Sequence, residues 1–155
     1  MTRPPAPLIL PPDIEQLVSA FLRAQPEITE ICAGRVYTDP PAAKRAYPLV
    51  LVHRAGGAPK LAVPIWLDQA IVSAACWGSS HAEAGRLAAT CCAALAQRLP
   101  GAWPGHGAVV TRVQVTDLAY APDDTAFDQA GTARPRYLVT AVITSHPAGT
   151  SPARQ

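Results

Sequence analysis

Long apolar runs are missing from this chain, and no stretch approaches the roughly 18 consecutive residues of a membrane span. Aromatic residues make up only 6% and charged residues only 15%. The formal net charge of +2 gives no argument for nucleic acid, because the thirteen basic residues are scattered. Nucleic-acid binders gather Lys and Arg on one face to displace counterions. Neither G-x-x-x-x-G-K-[ST] nor G-x-G-x-x-G occurs, so Gly56-Gly57 reads as a hairpin turn and not as a phosphate loop. The nucleophile elbow G-x-S-x-G is also absent. Cys32, Cys76, Cys91 and Cys92 form no C-x-x-C pair. Adjacent positions on a helix point about 100° apart, so Cys91-Cys92 is a poor chelate. Reduced thiols in a reducing compartment are the plain reading. His81 and Glu83 stand at i, i+2, which on a helix puts them on different faces, and His106 and His146 fall in loops. Asp123, Asp124 and Asp128 lack the spacing and the bidentate Glu of a calcium loop. The expectation is no catalytic residue, no metal and no cofactor.

What is abundant is proline, seventeen in 155 residues, clustered at the ends and between elements. The length suits one domain with a real core. Residues 1–12 read as a Pro-rich arm, residues 13–146 as a single α+β domain, and residues 147–155 as a small, polar, disordered tail. The N-terminal apolar stretch is too short and too proline-rich for a signal peptide, so a cytoplasmic protein is the expectation.

Asp13 is an N-cap, and Ile14, Leu17, Val18, Phe21 and Leu22 recur at helical spacing. Gln25-Pro26 ends that helix, and residues 27–32 add one more turn before Gly34. Arg35-Val36-Tyr37 is a short extended piece, and residues 48–54 are the first full strand. Pro64 makes the next strand an edge or bulged strand. Residues 69–77 form another strand. Ser80 and Glu83 then have capping-box spacing before a helix that buries Ala84, Leu87, Ala88, Cys91, Leu95 and Leu99. Residues 100–107 read as a loop around Trp103. In the strand 108–120, Val109, Val113 and Val115 face one way, and Arg112, Gln114 and Thr116 the other. Residues 121–134 read as a long polar loop, and residues 135–145 as the last strand with Tyr137, Val139, Ala141 and Ile143 inward. The sum is a sheet of about five strands, mostly antiparallel, with two helices on one face. A loop this long in a compact domain is usually functional or disordered.

Taken in order, Gly34-Arg35-Val36-Tyr37, Tyr47-Pro48-Leu49-Val50-Leu51-Val52, Ala75-Cys76-Trp77-Gly78, Ser80-His81-Ala82-Glu83-Ala84 and Arg136-Tyr137 form an ordered set of motifs. The set resembles the tail terminator (tail completion) proteins of long flexible-tailed bacteriophages over roughly residues 13–146. That resemblance implies a non-enzymatic virion protein at the head-proximal end of the tail. It would be a homohexameric ring that stops polymerisation of the tail tube protein and meets the head-tail connector protein, with DNA passing through its lumen without specific binding. Two alternatives are a head-tail adaptor, in which more helix is expected, and a small-molecule-binding α+β domain. For interaction residues the expectation is Trp66 as an exposed edge aromatic and Phe127 as an apolar anchor. Asp123, Asp124 and Asp128 would be solvated acids facing the lumen or tube. Arg134 and Arg136 would be available to pair across subunits.

Overall fold

The computed structural model describes residues 2–39, 41, 45–62, 65–128 and 130–149, with the backbone alone for residues 61–62 and 65–66. Helix α1 (Ile14–Arg23) starts where Asp13 accepts the Gln16 amide at 3.1 Å. Pro26 has no N–H to give the preceding turn, so it opens a new helix instead of extending the old one. The expected extra turn is therefore a separate helix, α2 (Pro26–Cys32), closed by Ala33 in the left-handed region. With α3 (His81–Arg98) the helices number three, where two were expected.

The strands are β1 (Val36–Tyr37), β2 (Leu49–Ala62), β3 (Ile65–Trp77), β4 (Gly101–Trp103), β5 (Ala108–Tyr120), β6 (Asp123–Phe127), β7 (Ala133–Arg134) and β8 (Arg136–Pro147). Six form one sheet in the order β1-β2-β3-β8-β5-β4, and β6 and β7 form a two-stranded sheet of their own. Among the described residues only β1–β2 is parallel. The α+β class holds, with a larger sheet than expected.

Several local expectations are corrected. Gly56-Gly57 is no turn: both residues lie within β2, beside a bulge between Arg54 and Gly56. Gly57 has φ +81, and a Cβ there would strike the Gln69 carbonyl, so this crowded bend requires glycine. The β2–β3 hairpin instead closes between Ala62 and Ile65, and the edge-or-bulge reading of Pro64 lies outside the described residues. Residues 101–103 pair with β5 where a loop was expected. Val109 faces away from Val113 and Val115, because a bulge between Val110 and Arg112 reverses the alternation. Pro147 pairs with Ala108, and the Ala148 amide donates to the Gly107 carbonyl at 2.8 Å, so the last strand outruns the expected start of the tail. The rest of that tail, residues 150–155, lies outside the described residues.

Strand alternation puts Val50 and Val52 of β2, Ala70, Val72, Ala74 and Cys76 of β3, and Val139, Ala141 and Ile143 of β8 on one face, where α1 and α3 cover them and α2 packs beside those two helices. All six residues expected from the helical period are buried, Leu99 as the C-cap of α3, and Ala94 is buried with them. Small side chains on both sides allow close approach. Gly78 continues that fit, since a Cβ there would stand 2.5 Å from the Ala84 amide nitrogen. The capping box forms, with Ser80 Oγ accepting the Glu83 amide at 3.1 Å and Glu83 Oε1 accepting the Ser79 amide at 2.9 Å.

At the far end of the sheet, Asp68 is fully buried and bridged twice by Arg54, at 2.7 Å in each bond. Arg54 Nε also donates to the Gly56 carbonyl at 3.0 Å, so the pair fixes the bulge.

Ser80→Ala is expected to cost about 1 kcal/mol in denaturant melts. Asp68→Ala is expected to cost about 3–5 kcal/mol, because it leaves the Arg54 charge part-buried and unpaired. Equal, small losses for both variants would contradict these roles.

Candidate interaction surface

The segment between β5 and β8 begins where the Ala121 amide donates to the Arg136 carbonyl at 2.9 Å. Asp123 follows, and it is only 6% exposed. Its Oδ2 accepts the Trp77 indole N–H at 2.9 Å, and its Oδ1 accepts the Thr125 amide at 3.0 Å and the Thr125 hydroxyl at 2.6 Å. Arg136 stands 3.9 Å from the same carboxylate and donates from Nε to the Ala121 carbonyl at 2.8 Å. Burial pushes the Asp123 carboxyl up, yet the bonds from Thr125 and Trp77 and the charge of Arg136 outweigh it, and the group sits below its ordinary value. The expected solvated acid is therefore a buried anchor that ties the β6–β7 hairpin to the end of β3.

Asp128 organises the tip of that hairpin. Its Oδ1 accepts the amides of Ala130 and Thr132, both at 2.9 Å, which is the local bonding that suits Asp to turns. Asp124 and Phe127 point outward, Phe127 with 60% of its surface exposed. The Arg134 guanidinium lies 3.8 Å over the Tyr47 ring, while its Nε is buried without a hydrogen-bond partner among the described residues. Tyr47, Ser79, Asp128, Ala130 and Arg134 line an open cleft of about 500 Å³. The two arginines expected to reach another subunit are thus engaged within their own chain. The expected polar loop is a hairpin held on an apolar corner formed by Leu49, Ala75 and Trp77, with Tyr37, Tyr47, Leu51 and Leu138 around them.

Six of the seven candidate residues are thereby brought to one end of the molecule. Trp66 is not with them. It lies at the opposite end of β3, a central strand of the sheet, at a point where β2 is its one paired neighbour among the described residues. Pairing of β3 with β8 starts at Asp68, whereas pairing with β2 continues outward through Leu67, Trp66 and Ile65. The β2–β3 hairpin therefore projects beyond the sheet by three residue pairs, about 10 Å at the usual rise per strand residue.

Two further features have no counterpart in the sequence reading. Tyr137 Oη and His81 Nε2 share a hydrogen bond of 2.7 Å, and Tyr120 packs on both rings with centroids 4.4 Å from His81 and 5.2 Å from Tyr137. Beyond Val110, β5 pairs only with β8, so its outer edge is open among the described residues. Both depend on partners far apart in sequence, so neither leaves a local signal. Among the described residues no cluster of three or more His, Cys, Asp or Glu is arranged to hold a metal.

No known family and no curated protein matches this chain. Among solved structures, a chain in the virion of a native gene transfer agent particle has a similar fold, with a TM-score of 0.59. The likeness covers 83% of this chain and 92% of that chain at 17% sequence identity.

An Asp123→Asn variant is expected to be less stable by about 1–3 kcal/mol at neutral pH. A folded-state value below the unfolded one means that the unfolded chain takes up the proton first. This stabilisation is therefore complete above about pH 4 and fades as the pH falls further. Denaturant melts from pH 7 to pH 3 check the sign: the gap to the parent chain should narrow on acidification, and a widening gap would contradict it.

Proposed function

We propose that this chain is a structural virion protein that closes the head-proximal end of a tail tube. Copies of it form a ring, six-fold by the resemblance to tail terminators, that ends tube polymerisation and presents a joint to the head connector. The observation that supports this reading most is the shared fold with a gene transfer agent virion chain across 83% of this chain and 92% of that one. The ordered motifs from Arg35 to Tyr137 point the same way. The shape of the subunit suits it too. A closed ring needs two unlike surfaces that meet head to tail. Here the projecting β2–β3 hairpin and the β6–β7 hairpin stand at opposite ends of β3, and the two long sides of the sheet differ as well.

In this reading Asp124 and Asp128 face the lumen or the tube and keep passing DNA from adhering, while Asp123 holds their hairpin in place. Phe127 and Trp66 are the apolar contacts. No chemical step is involved, and the chain acts in the virion after assembly in the host cytoplasm. A head-tail adaptor of the same kind of particle is the nearest rival. A six-stranded sheet with three helices carries more strand than that rival leads one to expect.

The test is to add the purified chain to tail-tube protein from the same particle while the tube polymerises. Shorter tubes with a ring at one end are expected in electron micrographs. Tubes of unchanged length with both ends bare would overturn the proposal.

A further inference from the structure

We infer that residues 6–10 of one copy add as an edge strand to β5 of the next copy, and that this exchange holds the ring together. The inference rests on the ring reading for its occupant, a second copy of this chain, and deepens it by naming the contact.

Three observations carry it. The first is an exposed apolar segment: Leu8, Ile9 and Leu10 are 89%, 60% and 71% exposed, in extended chain outside any helix or strand. Such a run left in water invites a partner. The second is an open sheet edge. From residue 111 to residue 120, β5 pairs with β8 alone among the described residues. Leu118 and Tyr120 stand exposed on that stretch. Its two bulges are braced from behind, by Thr111 Oγ1 donating to the Thr144 carbonyl at 3.2 Å and Thr116 Oγ1 donating to the Thr140 carbonyl at 3.3 Å. An extended segment added to such an edge gains main-chain hydrogen bonds, with alternate side chains supplying fit.

The third observation is the placing of the prolines. In a strand, the N–H and C=O of alternate residues point to the same side. Ala6, Leu8 and Leu10 form one such set, and every member carries an N–H. Pro5, Pro7 and Pro11 fall in the other set with Ile9. The arm can thus pair along one side only. Its outer side is blocked by proline against any further strand, as natural edge strands are. Leu8 and Leu10 then share a face and can cover Leu118 and Tyr120.

The position of the arm explains why the acceptor belongs to another copy. The arm leads into α1, whose Glu15 Oε1 accepts the Arg54 amide of β2 at 2.6 Å. It therefore leaves beside β2, whereas the β5 edge lies across β3 and β8. That is three strand spacings, about 14 Å, on the far side of the same sheet. Donor on one side and acceptor on the other is a head-to-tail arrangement that closes into a ring.

The experiment compares the full chain with Leu8→Pro and Ile9→Pro by light scattering over a concentration series, with hydrogen exchange of the β5 amides. Both substitutions fall in an exposed arm outside the core, so folding is not at stake. The full chain and Ile9→Pro are expected to associate, with exchange at residues 112–120 slowed at least about tenfold on assembly. Leu8→Pro is expected to lose both effects, because it removes an N–H on the pairing side. Equal behaviour of the two variants would overturn the inference. Assembly with freely exchanging β5 amides would overturn it and leave the ring standing. A full chain that is monomeric at every concentration would overturn it too, and would leave only a cap that forms on the tube. Loss of tube capping with the exchange pattern intact would instead sink the proposed function.

Discussion

Ala70, Val72, Ala74 and Cys76 of β3 and Val139, Ala141 and Ile143 of β8 lie beneath α1 and α3, and among the described residues a small apolar corner answers them on the other side of the sheet. This one-sided contact is what the rest of the molecule is built around. Its small side chains let α3 lie close, and each large buried side chain such as Leu87, Leu95 or Ile143 contributes about 1.5–3 kcal/mol of burial. Because a shift of one residue would turn the whole apolar set to water, the contact also fixes the register of β2, β3, β5 and β8. The bulges are where that register is adjusted, and Arg54 with Asp68 secures one of them.

A helix layer on one face leaves the sheet unfinished elsewhere. Among the described residues the β5 edge is open past Val110, the β2–β3 hairpin runs beyond β8, and the β6–β7 hairpin is held at a corner through Asp123 with Trp77 and Arg136 and through Arg134 over Tyr47. These are unlike surfaces on different sides of one subunit. They suit a protein whose work is to touch copies of itself and two different partners in turn.

The sequence was most legible where a local rule acts alone. Asp13 and Ser80 are caps, Pro26 breaks a helix, and the buried positions of α1 and α3 follow from their 3.6-residue period. It was less legible wherever long-range pairing overrides local chemistry. Gly56-Gly57 carries a turn signal, but its pairing with Ala70 and Ile71 makes it part of a long strand. Val109 fits the alternation of β5 until a bulge resets it. Asp123 sits among polar neighbours in sequence, and only the indole of Trp77, 46 residues away, shows why it is buried. The grouping of six candidate residues at one end was readable from their nearness in sequence, whereas the places of Trp66 and of the open β5 edge depend on strand order.

The account's central claim is tested most directly by locating this chain in intact particles. Electron microscopy of virions carrying the tagged chain should show label at a single place, the joint between head and tail, with ring-shaped density there. Label spread along the tail, or confined to the head shell, would contradict the account.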